Sequence, residues 1–225
     1  MVFVVDSSRS IREANPEDGS YDNWALLLDF INTMMGHLDI DQTRVGLVDY
    51  STVANKIFFL NSYHTVDEIK AEVSAMPYYG SSTNTDAAII AMHTQQFLSI
   101  NGDRQGVQNV AIVITDGQSD IFKDDTIPGA RSAQRDGIMM FAIGITLSVD
   151  EAEVKGISSC PQIEGQDYWL VDQFLDLRNR ASNITDAICE KVNKGKSREI
   201  QCFALCHLLK SVTQITRTKS AWCIL

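Results

Sequence analysis

Cysteine is absent from the first 159 residues of this 225-residue chain, and all five cysteines fall at Cys160, Cys189, Cys202, Cys206 and Cys223. Five is too few for a disulfide-framework mini-protein. The odd number leaves one thiol free or available for disulfide-linked self-association in an oxidising compartment. Proline is scarce, at 4, and glycine ordinary, at 13, which excludes collagen-like and low-complexity chains. No apolar run reaches 18 residues, so no membrane-spanning helix is expected. The opening Met1-Val-Phe-Val-Val-Asp6 is too short for the apolar core of a secretory leader and lacks basic flanks. Basic residues are also in short supply: 19 against 29 acidic ones, for a net charge of −10. Seven of those 19 lie after residue 190, where Glu199 is the one acid, so the body of the chain is more acidic than the whole. An acidic body repels phosphate backbones and excludes nucleic acid as its partner, while it suits divalent cations and basic surfaces. Neither a G-x-S-x-G elbow nor a Walker A loop occurs, which removes the support for a serine hydrolase or a nucleotide hydrolase.

What is present is a core and an alternation. Apolar residues make up 44% and charged residues 21%, enough for one packed α/β domain with chain to spare. Residues 2–5 form an apolar run closed by Asp6, as a buried strand would be. Over residues 21–38, Trp24, Leu27, Leu28, Ile31, Met34, Met35 and Leu38 recur at threes and fours, the period of an amphipathic helix. Residues 44–50 and 55–60 read as strands, and Thr65-Val-Asp-Glu68 reads as a capping box opening a helix to about residue 76. A helix follows over 85–98. Residues 107–115 (VQNVAIVIT) are apolar on both faces, the pattern of a central parallel strand. A helix near 128–135 ends at Gly137, followed by a strand over 138–145, a short helix over 149–158, a strand over 168–171 and a helix over 175–193. This alternation predicts βαβ units and a doubly wound, mostly parallel sheet flanked by helices. In such sheets ligands bind at the carboxyl ends of the strands.

Three strand ends or helix starts carry polar clusters: Asp6-Ser7-Ser8-Arg9-Ser10, Gly80-Ser81-Ser82-Thr83-Asn84-Thr85, and Thr115-Asp116-Gly117. Together they offer two carboxylates and several hydroxyls but no thiol and no imidazole. An oxygen-only set suits a hard cation such as Mg²⁺ or Mn²⁺. The spacing D-x-S-x-S lets Asp6, Ser8 and Ser10 face one ion from an extended turn. Taken alone, Ser7, Ser8 and Ser10 read as turn and N-cap residues; with Thr83 and Asp116 in place, the metal reading takes over.

The combination of DSSRS, STNT and TDG, set among FVVDSS, RVGLVDYS, VAIVITDGQSD and MFAIGI, resembles the metal-ion-dependent adhesion site of von Willebrand factor type A domains. The stretch GISSCPQIEGQDYWLVDQF resembles the end of such domains in matrilins and in collagens of types VI and XII. The resemblance spans residues 1–193. It implies a Rossmann-like fold and a Mg²⁺ or Mn²⁺ held by Asp6, Ser8, Ser10, Thr83 and Asp116. It also implies a protein partner, collagen or another matrix protein, whose exposed acidic side chain completes the ion's shell. On that reading the protein is an extracellular, secreted adhesion module and no enzyme, and the sequence is expected to be a piece whose leader lies outside it. A structural matrix block with metal-independent contacts, and an intracellular type A domain in a large assembly, are the rival readings. One departure from the family pattern is Asp86 directly after the TNT: either a first-turn acid complementing the helix dipole, or an extra carboxylate beside the ion.

The remaining features carry less. Residues 194–225 are read as a basic, poorly ordered tail outside the resemblance. Its Cys202, Cys206 and His207 fall short of a four-ligand zinc site, and Trp222 stands where a prenylation signal needs cysteine. His93 is expected at a core edge. Cys160 and Cys189 lie near the domain end as candidates for a disulfide. Asn183-Ile-Thr185 is an N-glycosylation triplet on the last helix.

Overall fold

The computed structural model describes residues 1–195. Six strands, β1 (Val2–Asp6), β2 (Gly46–Tyr50), β3 (Ala54–Phe58), β4 (Asn109–Thr115), β5 (Ile138–Ile145) and β6 (Tyr168–Val171), form one sheet in the order β3-β2-β1-β4-β5-β6. Every pairing is parallel except β2 with β3, a hairpin at the edge. Strands β1, β2 and β5 are buried along their whole length and β4 along nearly all of it, as their two-sided apolar sequences dictate.

Strand side chains alternate between two cores. Phe3, Val5, Ile112, Ile114, Phe141 and Ile143 face α1 (Arg9–Glu13), α2 (Asn23–Met35), α3 (Val66–Ser74) and α7 (Phe174–Gly195). Val2, Val4, Ala111, Val113, Met140 and Ala142 face α4 (Thr85–Ala91), α5 (Lys123–Arg135) and α6 (Glu151–Ile157). The chain leaves β1 toward the first face and β4 toward the second. Because these strands are neighbours, their outgoing loops diverge and leave a crevice between them, the switch point of a doubly wound sheet.

Local chemistry sets the helix starts. Asp22 caps α2 by accepting from the Trp24 amide at 3.1 Å. The capping box forms as expected: the Glu68 amide donates to Thr65 Oγ1 at 3.3 Å and Glu68 Oε2 accepts from the Thr65 amide at 3.1 Å. Three elements depart from expectation. The five-residue α1 has no apolar period to announce it, since it buries only Ile11. Helix α5 begins at Lys123, five residues before Pro128, so the proline sits inside the helix instead of opening it. The helix expected over 85–98 passes into a π-helical turn at Met92–Gln96.

That turn has a structural role. It carries the fully buried Gln96 to a register shift between Leu47 and Val48 on the β2–β3 hairpin. There Gln96 Nε2 donates to the carbonyls of Leu47 at 3.2 Å and Phe58 at 3.0 Å, filling the gap in the ladder. The fit requires Gly46: a Cβ there would stand 2.6 Å from Gln96 Oε1.

Cys189 is a free thiol and so does not pair with Cys160. Among the described residues no helix is long and apolar enough to cross a membrane. The expectations about the tail fall on residues 196–225, outside the described residues.

Candidate metal centre

Three loops meet above the carboxyl ends of β1 and β4. The first leaves β1 at Asp6 and turns through Ser7 and Ser8 into α1. It is tied to β2 by the Ser7 amide and hydroxyl, which both donate to the Tyr50 carbonyl at 2.7 and 3.0 Å. The second loop, residues 80–84, lies along it: the Gly80 amide donates to the Ser7 carbonyl at 2.9 Å and the Arg9 amide to the Ser81 carbonyl at 2.8 Å. Gly80 has φ of +63°, a left-handed turn that places this amide toward the first loop. The third loop follows β4. It is held to the second by a two-way contact. Asp120 Oδ1 accepts from the Thr83 amide at 2.9 Å, while the amides of Asp120 and Ile121 donate to the Thr83 carbonyl at 3.1 and 3.2 Å.

The polar atoms at the centre are close to one another. The Thr115 hydroxyl donates to Asp6 Oδ2 at 2.7 Å, and the Ser8 amide donates to Asp6 Oδ1 at 2.8 Å. Ser10 Oγ donates to Asp116 Oδ1 at 2.7 Å and lies 3.0 Å from Ser8 Oγ. Ser8 occupies the N-cap position of α1, yet its side chain makes no capping bond and faces Ser10 instead. Asp6, Ser8, Ser10 and Asp116 are therefore brought together directly. Thr83 is buried, and its amide and carbonyl tie its loop to the one after β4, but among the described residues no hydrogen bond links its hydroxyl to the cluster.

Electrostatically the cluster has no counter-charge among the described residues. Burial, opposed by the bonds from Thr115 and Ser8, raises Asp6 to a pKa of about 6. Burial, joined by repulsion from Asp6, raises Asp116 to about 7. Among the described residues no Lys, Arg or His forms an ion pair with either carboxylate. Two buried, mutually repelling carboxylates with neighbouring hydroxyl oxygens and no soft donor match the requirements of a hard divalent cation. The residues present fit such an ion.

Asp86 is not part of this group. It lies in the first turn of α4 and faces α5: its Oδ1 stands 2.9 Å from the position a Cβ on Gly129 would take. Its pKa is raised by burial and then by Asp125, the α5 acid opposite. Two residues that sequence reasoning did not single out hold the site's frame. Asp120 joins two loops, and Glu153 of α6 accepts from both the amide and the hydroxyl of Ser119, at 3.2 and 2.6 Å, fixing the third loop from behind. Asp120 stood in the quoted string TDGQSD, but Glu153 had no signal beyond its place in a helix. His93 sits at a core edge as expected, 2.8 Å from Asp136.

The sheet order, the two helical layers and the loop cluster at the switch point define a doubly wound α/β domain. The family model of the von Willebrand factor type A domain matches residues 1–180, and the chain belongs to that family. Among curated proteins it is 35% identical to mouse matrilin-1 over 191 residues, covering 84% of this chain and 35% of the relative. It is 30% identical to the human collagen alpha-1(XX) chain, covering 88% of this chain and 15% of that one. The chain spans about a third of the length of the matrilin-1 proteins it matches. Among solved structures, proximal thread matrix protein 1 from the mussel byssus, described with a zinc-occupied MIDAS motif, superposes with a TM-score of 0.70 at 21% identity. That match covers 84% of this chain and 47% of the mussel chain.

Proposed function

We propose that this domain is an extracellular matrix adhesion module. It binds a protein ligand through a divalent cation, Mg²⁺ or Mn²⁺, held by Asp6, Ser8, Ser10, Thr83 and Asp116. The observation that carries the proposal is the buried pair Asp6 and Asp116, each accepting a hydroxyl from the other's segment and, among the described residues, in no ion pair with a basic group. The naming of matrix proteins among the relatives, and the zinc-occupied motif of the mussel protein, support the setting and the class of ion.

A divalent cation at this position supplies a Lewis-acidic coordination site able to accept a carboxylate from outside. Two carboxylates balance its charge and the neutral hydroxyls add none, so an acidic partner is not repelled by excess negative charge. The chain's own residues place the donors: Thr115 orients Asp6, Ser10 orients Asp116, and Asp120 holds the Thr83 loop. Four large apolar side chains, Val53, Tyr79, Phe122 and Leu147, are exposed on the loops around the cluster and offer contact area for a protein surface. Recognition by these groups needs no bond-making step, in keeping with a binding protein and not an enzyme.

The test is binding to immobilised collagens and other matrix proteins in Mg²⁺ or EDTA, together with Mn²⁺ calorimetry. Asp6→Ala abolishes Mn²⁺ binding with the fold kept, and Thr83→Ala weakens metal-dependent adhesion while leaving α4 intact. Equal Mn²⁺ affinity in wild type and Asp6→Ala removes the assignment. Adhesion unchanged by EDTA and by Thr83→Ala points instead to a structural block with metal-independent contacts.

A further inference from the structure

The triplet Asn183-Ile184-Thr185 lies in the last helix, α7, and its three side chains have different fates. Leu177, Ala181, Ile184 and Ile188 form the buried stripe of the helix. Asn179, Arg180, Asn183, Asp186 and Glu190 are exposed on the outer side. Among the described residues no hydrogen bond or ion pair engages the side chain of Asn183. Thr185 is 1% exposed, and its hydroxyl donates to the Ala181 carbonyl at 2.8 Å.

We propose that Asn183 carries an N-linked glycan, attached before α7 folds. The proposal rests on the extracellular setting inferred above, though not on the cation. The co-reactant is an oligosaccharide linked to a lipid pyrophosphate. The Asn183 amide nitrogen bonds to the anomeric carbon of the first sugar, the bond from that carbon to the pyrophosphate oxygen breaks, and the lipid pyrophosphate leaves with the electron pair. The amide nitrogen gives up one proton. A transferase that recognises Asn-X-Thr reads the threonine hydroxyl as well as the asparagine. In the folded domain that hydroxyl is buried and engaged with Ala181, whereas the asparagine points outward. The two requirements separate in time: the acceptor sequence is legible only in the unfolded segment, and the finished glycan is accommodated only because Asn183 faces away from the core. The sugar then covers the outer side of α7, away from the loops that carry Asp6, Thr83 and Asp116.

The test is expression of the full chain behind a cleavable leader in cells with an N-glycosylation pathway, analysing both cellular and secreted protein by peptide mass spectrometry. A glycosidase that converts the modified asparagine to aspartate marks the site. Modification at 183 is expected in wild type and in Thr185→Ser, and is lost in Asn183→Gln and in Thr185→Val, which keeps the shape of the buried side chain. Folded, unglycosylated protein offered to transferase and donor in vitro remains unmodified, whereas the denatured chain is an acceptor. Unmodified Asn183 in wild-type chains from both fractions overturns the proposal. Equal labelling of folded and denatured protein overturns the order of events. Mn²⁺ calorimetry on the same samples separates the readings: a glycan without ion binding sinks the cation proposal alone, and ion binding without a glycan sinks this one alone.

Discussion

Asp49 is an acid set inside the sheet. It lies on β2 with no exposure, and among the described residues neither carboxylate oxygen receives a well-aligned hydrogen bond, Ser7 and Asn55 offering only weak ones. Burial lifts its pKa from 3.8 to about 7, with Asp6 adding to the rise and nearby Ser7 and Asn55 opposing it. A carboxyl whose folded pKa exceeds its unfolded one holds its proton more tightly in the native state. Its ionisation therefore costs stability as pH rises from about 4 to about 7, in proportion to about 1.4 kcal/mol per pKa unit. Asp49→Asn is expected to be more stable than wild type at pH 8 by up to a few kcal/mol, with the gap closing by pH 4. Urea unfolding at both pH values checks this, and a gap independent of pH refutes it. Asp120 acts differently, through geometry. Asp120→Ala removes the acceptor for the Thr83 amide and is expected to weaken Mn²⁺ binding at least tenfold, while Asp120→Asn, which keeps a carbonyl oxygen in place, restores most of it. Hydrogen exchange at the Thr83 amide should rise only in the alanine variant. Equal losses in both variants would mean that the charge matters and the bond does not. The meeting of Asp6, Ser8, Ser10 and Asp116 was legible from polar strings placed at strand ends, because the outgoing loops of neighbouring strands flank a common crevice there. The orientation of Asp86 toward α5 was not, since a first-turn acid can face either way and only the approach of Gly129 decides.

At the level of elements, the strongly periodic or two-sided apolar segments appear where the sequence places them, because burial fixes them from both ends: β1, β4, β5 and the core of α2. Elements set by tertiary contacts were hidden. Pro128 reads locally as a helix start, but the chain enters α5 earlier, through Phe122 in a left-handed conformation (φ 52°), with Asp124 and Asp125 in the first turn. The π turn at Met92–Gln96 has no local signature either, because its reason is the gap in the β2–β3 ladder that Gln96 fills. This fit makes a prediction. Gly46→Ala forces a methyl against Gln96, whose amide is fixed by two carbonyls, and is expected to cost about 1–3 kcal/mol. The same change in a Gln96→Ala background should cost much less, so the two effects are non-additive in a double-mutant cycle. Strict additivity would show that the glycine is required for another reason.

On the scale of the whole molecule, the alternation of strand and helix was enough to specify a doubly wound sheet. The strand order follows from right-handed crossovers running first one way and then the other. What the sequence left open was how the three polar loops register against each other, because that depends on backbone contacts such as Gly80 to Ser7 and Asp120 to Thr83. These loops begin at residues 6, 80 and 115, far apart in sequence, and meet only in the folded domain, through the β1–β4 pairing and the backbone bonds of the 80–84 loop. A ligand that needs all three has no site on the unfolded chain, and so acts as a fold-stabilising agent as well as a recognition device. A cation at a hundredfold excess over its Kd adds about 2.7 kcal/mol to the unfolding free energy. That corresponds to roughly 5–10 °C in Tm for a domain of this size. Scanning calorimetry with Mg²⁺ and with EDTA should show this rise in wild type and none in Asp6→Ala; an identical rise in both would place the stabilising ion elsewhere. On the proposed reading, a domain built this way is most robust where its divalent cation is plentiful, and chelation that detaches it from a partner also brings it closer to unfolding.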